Sequence, residues 1–239
     1  MEAWLMDTMS EPPQAAVPWT PRDVLWGLVV FVLWIALFLT LSVLGQELKL
    51  PVDGSFIIVF GEAILLLPVW YFTIHKYRVS WAALGLRSFR PWAIGQGCGL
   101  MLLSLLFNII YAGFLALFGL QIQPNIDQLF KQTDFPLTLL FGGAIVAPMV
   151  EELFFRGFVF AGLRGRWSWP KAALVSAGLF ALAHIVPTAI LPILILGLIF
   201  AYLYETSGSI WPAILMHTLT NTVALLAAYA IDQGWLPSP

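Results

Sequence analysis

The sequence predicts an all-α, multi-pass transmembrane bundle of about seven helices, or eight in a second count, and three observations carry that prediction. Sixty per cent of the 239 residues are hydrophobic and 10% charged, with a mean hydropathy of +0.89, whereas a soluble domain is roughly 45–50% apolar and about 25% charged. Apolar runs long enough to cross about 30 Å of hydrocarbon recur along the chain. No segment alternates over about ten residues as a membrane β-barrel strand does.

Residues 1–23 read as a flexible polar tail. Glu2, Asp7, Glu11 and four prolines make it neither a basic secretory n-region nor an arginine-rich transit peptide. Residues 24–118 hold the first spans, at Val24–Leu44, Phe56–His75 and Trp92–Phe118. Residues 119–134 form an extracytoplasmic connection. Residues 135–230 form a C-terminal transmembrane core, with spans at Phe135–Leu163, Pro170–His184, Thr188–Tyr204 and Ile210–Ala230, and residues 231–239 are a tail. An eighth helix arises if the long Phe135 stretch begins with a separate piece, and a break near Pro187 and Pro192 would move the C-terminus to the other side. The lone Cys98 cannot form an intrachain disulfide. The balance of 11 basic and 13 acidic residues excludes a nucleic-acid surface, which needs clustered basic charge.

Polar residues inside the apolar runs point to a site. Glu151-Glu152-Leu153-Phe154-Phe155-Arg156, Phe180 to His184, and His217 to Asn221 lie on successive spans. An ionised side chain at bilayer depth costs about 2.5–3.5 kcal/mol on insertion scales, so such groups must pair, and they mark function. Residues four apart share a helix face, which pairs Glu152 with Arg156 as support and leaves Glu151 without a partner in its own helix. A desolvated, unpaired carboxyl is suited to general acid–base work. His217 and Asn221 share a face, as do Phe180 and His184, with Phe180 expected to pack beside the imidazole. At 1.5 Å per residue, Glu151 and His184 both lie about 20 Å from the turn between their helices, but His217 lies only about 10 Å past Ile210. Either the fourth and fifth helices project beyond the bilayer or the last helix starts lower. Taken singly, each polar residue can be packing or polar glue. Glu62, alone in the second span, could be a second functional carboxylate. Gly-x-Ser-x-Gly, paired intramembrane aspartates and His-Glu-x-x-His are all absent from the sequence.

Together, Glu-Glu-x-x-x-Arg, Phe-x-x-x-His and His-x-x-x-Asn resemble the CPBP family, the group of type II CAAX prenyl proteases and bacteriocin-processing (Abi) membrane proteins, over Phe135 to about Ala230. The resemblance implies that Glu151 activates water, with His184 its partner on that water or on a metal. It also implies that His217 and Asn221 face the tetrahedral intermediate, with Glu152 and Arg156 in support. Zinc on Glu151, His184 and His217 and metal-free activation of water are both compatible with these residues. The implied activity is an intramembrane endopeptidase acting on a membrane-associated or lipidated peptide or protein. A prenylated C-terminus would be the substrate in a prenylating host. In a bacterial plasma membrane, which the compact chain suits, a membrane peptide, a bacteriocin leader or an anchored regulator would be. The alternative is a non-proteolytic immunity or adaptor protein that binds a partner membrane protein. A transporter would show internal repeats, and none stands out. Nothing in the sequence speaks to oligomeric state.

Basic residues set the orientation. Lys76, Arg78, Arg87 and Arg90 follow the second span and Arg164, Arg166 and Lys171 the fourth, against Lys49 and Lys131 in the intervening loops. The positive-inside rule places both basic loops, and hence the N-terminus, in the cytoplasm. Single cysteines at Ser88 and Ser168 in a Cys98→Ser background are therefore expected to resist an impermeant thiol reagent applied to intact cells. Strong labelling of either would reverse the orientation.

Overall fold

The structure, a computed structural model, describes residues 17–48, 53–122, 128–131 and 133–236. Most of the expected N-terminal tail, Lys49, part of the 119–134 connection and the last three residues lie outside the described residues. Seven helical rods appear in the expected order: α1 Pro21–Glu47, α2 at residues 54–75, α3 Trp92–Ala116, α4 Pro136–Arg164, α5 Trp169–Ala183, α6 Pro187–Ser207 and α7 Trp211–Asp232. Short helical turns lie at Trp81–Leu84 and Gln128–Lys131, and the described residues contain no strand. Five rods, all but α2 and α5, are long and apolar enough to cross a membrane. The chain is an all-α, multi-pass bundle. The Phe135 stretch is one helix, and Pro187–Ala189 forms a tight 3₁₀ turn that runs directly into Ile190–Ser207.

Proline and glycine set the helix ends. Pro136, Pro170, Pro187 and Pro212 stand in first turns, where the missing N–H has no acceptor to lose. Gly208, at φ 66°, closes α6 in the left-handed conformation. Half of the α4 span is buried, against 11% for α1 and α3, so α4 is the axis and those two helices face outward. Phe154, Phe158, Val159 and Phe160 of α4 are fully buried, and Phe31 of α1 stacks on Phe154 at 4.9 Å.

Buried or capping carboxylates tie the ends together. Asp23 accepts from the Thr20 backbone N–H and hydroxyl, from Tyr77 at 2.7 Å, and from Lys76, which joins the start of α1 to the end of α2. Arg164 donates twice to Glu205, joining α4 to α6. Ser209 donates to the Arg87 carbonyl and the Ile210 N–H to that of Gly85. The two basic loops therefore sit at one end of the bundle.

These contacts resolve the depth mismatch in favour of the second alternative. A Cβ at Gly157 would lie 3.0 Å from the Leu84 carbonyl oxygen and 3.4 Å from Ile210 Cδ1, so α7 starts level with Gly157 rather than with Arg164. Six residues separate Gly157 from Glu151 and seven separate Ile210 from His217, or about 9 and 10 Å of helix.

At the opposite end, Asp53 caps α2 and joins it to the start of α4. Its carboxylate accepts from the Ser55 hydroxyl at 2.6 Å and N–H at 2.8 Å, from Thr133 and from the Asp134 N–H. The Ser55 hydroxyl first, then these other donors, hold its carboxyl at about 2, below the ordinary 3.8. A depressed value stabilises the fold above the ordinary one and is lost as pH falls through the folded one. Asp53→Ala is thus expected to lower the melting temperature in detergent at neutral pH, and the gap from wild type should narrow between about pH 3.8 and pH 2. A gap unchanged across that window would remove the charge from the argument.

Candidate active site

Midway along α4, Arg156 Nη1 donates to Glu152 Oε1 at 2.8 Å, and both side chains are fully buried. The guanidinium lies 4.4 Å from the Phe180 ring centroid and 5.3 Å from that of Phe200, where cation–π attraction is strong because water is excluded. Its Nη2 donates to the Gly197 carbonyl on α6 at 3.1 Å. A Cβ at Gly197 would come within 3.0 Å of that nitrogen and 2.8 Å of Ala177 Cβ, so glycine is what lets α6 approach.

Glu152 has a second partner that helix spacing did not reveal. His217 Nδ1 lies 2.9 Å from the same Oε1. A carboxylate only accepts, so Nδ1 carries the proton, and His217 Nε2 is left facing Glu151 Oε2 at 3.5 Å. The two adjacent glutamates thus bracket one imidazole. Glu152 is fully buried while the Glu151 side chain keeps 15% of its exposure. The pairing of Glu152 with Arg156 and the lack of any partner for Glu151 in its own helix are both as expected.

His184 forms the last turn of α5. Its Nδ1 meets the Phe180 carbonyl at 2.8 Å, and a carbonyl can only accept, so Nε2 is the nitrogen free to act. Phe180 is buried edge-on to both imidazoles, with centroids 4.8 Å from His184 and 5.6 Å from His217. Ile185, at φ 57°, takes a left-handed conformation that is strained for a β-branched side chain, and it turns the chain away directly beside His184.

Asn221 is held by an irregularity in α4. Pro148 has no N–H, and the turn before it, Gly142–Val146, widens to π-helical geometry in which the Ala147 N–H reaches back to the Gly142 carbonyl. The Gly143 carbonyl is then left without a donor in its own helix, and Asn221 Nδ2 supplies one at 2.9 Å. One amide hydrogen of Asn221 is therefore a brace between α7 and α4, and the other remains. A second widened stretch, Leu153–Phe160, follows the glutamates, and its Phe155 carbonyl accepts from Ser176 at 2.7 Å.

Glu151 and His184 line one cavity of about 290 Å³. Phe31, Trp34 and Phe38 of α1 form its apolar wall, and Glu62 of α2 enters it from the side. Trp34 donates to the Gly61 carbonyl at 3.1 Å, fastening α1 to α2 beside Glu62. Glu62 Oε2 and Glu151 Oε2 are buried without a hydrogen-bond partner. The space is mostly apolar, but Glu62, Glu151 and His184 give water polar partners, and it is roomy enough for water, which occupies about 30 Å³ per molecule in the liquid. Among the described residues no three His, Cys, Asp or Glu side chains converge on a point where a metal ion could sit. Of Glu151, His184 and His217, the first two line the cavity, while the His217 ring is turned to the two glutamates.

Residues 133–223, more than a third of the chain, match the family model described as type II CAAX prenyl endopeptidase Rce1-like. Over this stretch the resemblance carried by the three motifs is borne out. The chain is also similar to YdiL of Bacillus subtilis, named provisionally as a membrane peptidase, at 31% identity over 83 residues, 35% of this chain and 34% of that protein. An uncharacterized 24.3 kDa protein of Escherichia coli is 29% identical over 147 residues, 57% of this chain and 63% of that protein. The chain thus spans less than two thirds of the length of these curated relatives. No solved structure matches it significantly.

Removing one partner of a buried pair leaves an uncompensated charge and costs about 3–5 kcal/mol. Arg156→Ala and Glu152→Gln are therefore expected to reduce the yield or melting temperature of detergent-purified protein sharply. Asn221→Ala should do so less, since an orphaned buried carbonyl costs about 1–3 kcal/mol. Wild-type melting of Arg156→Ala would show that the pair does not hold the fold.

Proposed function

We propose that the chain is an intramembrane endopeptidase of the Rce1-like kind, with Glu151 as the base that activates water. The observation that carries this reading is the cavity shared by Glu151 and His184, set against a fully buried Glu152–Arg156 pair. One carboxylate lines the cavity without a hydrogen-bonded partner, and its neighbour is neutralised.

Peptide hydrolysis needs a base for water, donors for the oxyanion and a proton for the leaving amine. In this reading Glu151 takes a proton from water while His184 Nε2 orients that water, its ring fixed by the Nδ1–H bond to Phe180. The hydroxide adds to the peptide carbonyl. Charge then develops on the carbonyl oxygen, where the second N–H of Asn221 and a protonated Nε2 of His217 would donate. His217 is held in register by its Nδ1–H bond to Glu152, so Glu152 and Arg156 act through position rather than contact. The substrate is a membrane-associated or lipidated peptide or protein, and the Phe31, Trp34 and Phe38 wall suits an apolar segment beside the scissile bond. A prenylated C-terminus is the form that the family's description implies. The positive-inside rule puts the basic end of the bundle in the cytoplasm.

Glu151→Gln is expected to abolish hydrolysis while leaving the protein inserted and melting as wild type. Comparative membrane proteomics of wild-type and Glu151→Gln cells should reveal the uncleaved substrate. In purified protein, Asn221→Ala should lower kcat by about 10²–10³, the usual loss for one oxyanion donor, with much less effect on KM. Substantial turnover by Glu151→Gln would remove that residue from the mechanism.

A further inference from the structure

Glu62 belongs to α2, outside the stretch that matches the family, and the chemistry above leaves it without a task. It enters the same cavity as Glu151 and His184, and residues 54–64 pack directly on residues 147–152. Its carboxylate lies within electrostatic reach of both Glu151 and His217. Glu62 Oε2 is buried and accepts no hydrogen bond. Glu152, on the helix that Glu62 approaches, is paired with a cation, Arg156. None of the hydrogen bonds or ion pairs of the described residues gives Glu62 one.

The charges of the centre indicate what it is for. Glu152 is balanced by Arg156 within α4, and Glu151 faces His217 Nε2 at 3.5 Å. A third ionised carboxylate would add an uncompensated charge in a medium where one costs several kcal/mol. Glu62 has no hydrogen bond at Oε2 to lose, so it can be neutral without breaking one. Glu151 takes its proton from the water and Asn221 cannot give one up, whereas a second carboxyl entering the cavity from α2 would serve the leaving-group side separately.

We propose that Glu62 is a further catalytic residue of this centre, the acid that protonates the departing amine. The inference rests on the endopeptidase reading. The steps balance. Glu151 takes one proton from water, and the resulting hydroxide forms the new C–O bond. As the C–N bond breaks, its electron pair stays on nitrogen, which takes the proton of neutral Glu62. The proton on Glu151 then passes through cavity water to ionised Glu62, which restores both groups. The products are one carboxylic acid and one amine for each water consumed.

The test separates an acid from a packing residue by the leaving group. The probes are a lipidated, fluorogenic CAAX-type peptide and an analogue with an aryl ester at the scissile bond, whose phenolate departs without a proton. Glu62→Gln is expected to lower kcat on the amide by about 10²–10⁴ with KM little changed, and to lose far less on the ester. Glu151→Gln should lose both. Equal losses of Glu62→Gln on the two probes, or wild-type kcat on the amide, would overturn the proposal. Infrared spectra provide a readout independent of turnover. Purified wild type at neutral pH should show a protonated-carboxyl band that Glu62→Gln lacks, and identical spectra would overturn the proposal. A wild type that cuts neither probe would count against the endopeptidase reading, and the infrared comparison would still decide the state of Glu62.

Discussion

The Oε1 atom of Glu152 accepts from Arg156 on its own helix and lies 2.9 Å from His217 Nδ1 on another, and the rest of the centre depends on that fork. In a bilayer no solvent compensates a broken charge pair, and buried polar groups must be satisfied by protein. The bond within α4 fixes the Glu152 rotamer. The bond to α7 transmits that rotamer to the imidazole, and His217 Nε2 is thereby aimed at Glu151. Arg156 extends the same constraint to α6 through Gly197 and to the aromatic pair Phe180 and Phe200. A cost of about 3–5 kcal/mol for losing one partner is a large fraction of a total stability of about 5–15 kcal/mol. Glu152 and Arg156 are therefore positioning groups whose removal would be felt first as loss of the fold.

The second organising feature is that α4 is not a regular α-helix. In its widened stretches three backbone carbonyls serve as cross-links to other segments. Gly143 receives Asn221 from α7, Phe155 receives Ser176 from α5, and Phe158 receives the indole N–H of Trp19 at 2.9 Å. A straight helix would have spent those acceptors on itself. Widened turns frequently occur at functional sites, and here the reason is concrete: they let one helix bond to its neighbours at membrane depth, where a loop would leave backbone groups unsatisfied.

Much of this could be read from the residues. The seven apolar runs fall within a few residues of the seven helices because hydropathy is strong and proline marks the starts. The four-residue spacing paired Glu152 with Arg156 because that contact is local. Contacts that join distant helices leave no periodicity to read. The bond from Glu152 to His217 and the approach of Glu62 to Glu151 belong to that class. Asn221 shows a subtler limit. Its sharing of a face with His217 was legible, but its bond to Gly143 follows from a missing N–H at Pro148, five residues along α4. The widened turn had to be seen before that carbonyl could be recognised as needing a donor. The apparent mismatch in depth of His217 arose likewise from assuming that every helix begins at the membrane surface, whereas α7 begins against Gly157 and Leu84.

On the endopeptidase reading, the centre must keep water where lipid would exclude it, and the polar atoms of this cavity are disposed to do so. Glu62 Oε2 and Glu151 Oε2 are buried acceptors with no protein donor, and an unsatisfied polar group is expensive in an apolar medium. Water entering the cavity would satisfy them, so the free energy that would otherwise count against the fold favours hydration of the space where the proposed hydrolysis needs it. The same arrangement limits that water. Phe31, Trp34 and Phe38 close one wall and Phe155 another, while the Trp34 bond to Gly61 holds α1 against α2. Reactive carboxylates inside and aromatic walls outside are complementary requirements, and α1, which contributes none of the three motifs, supplies the second.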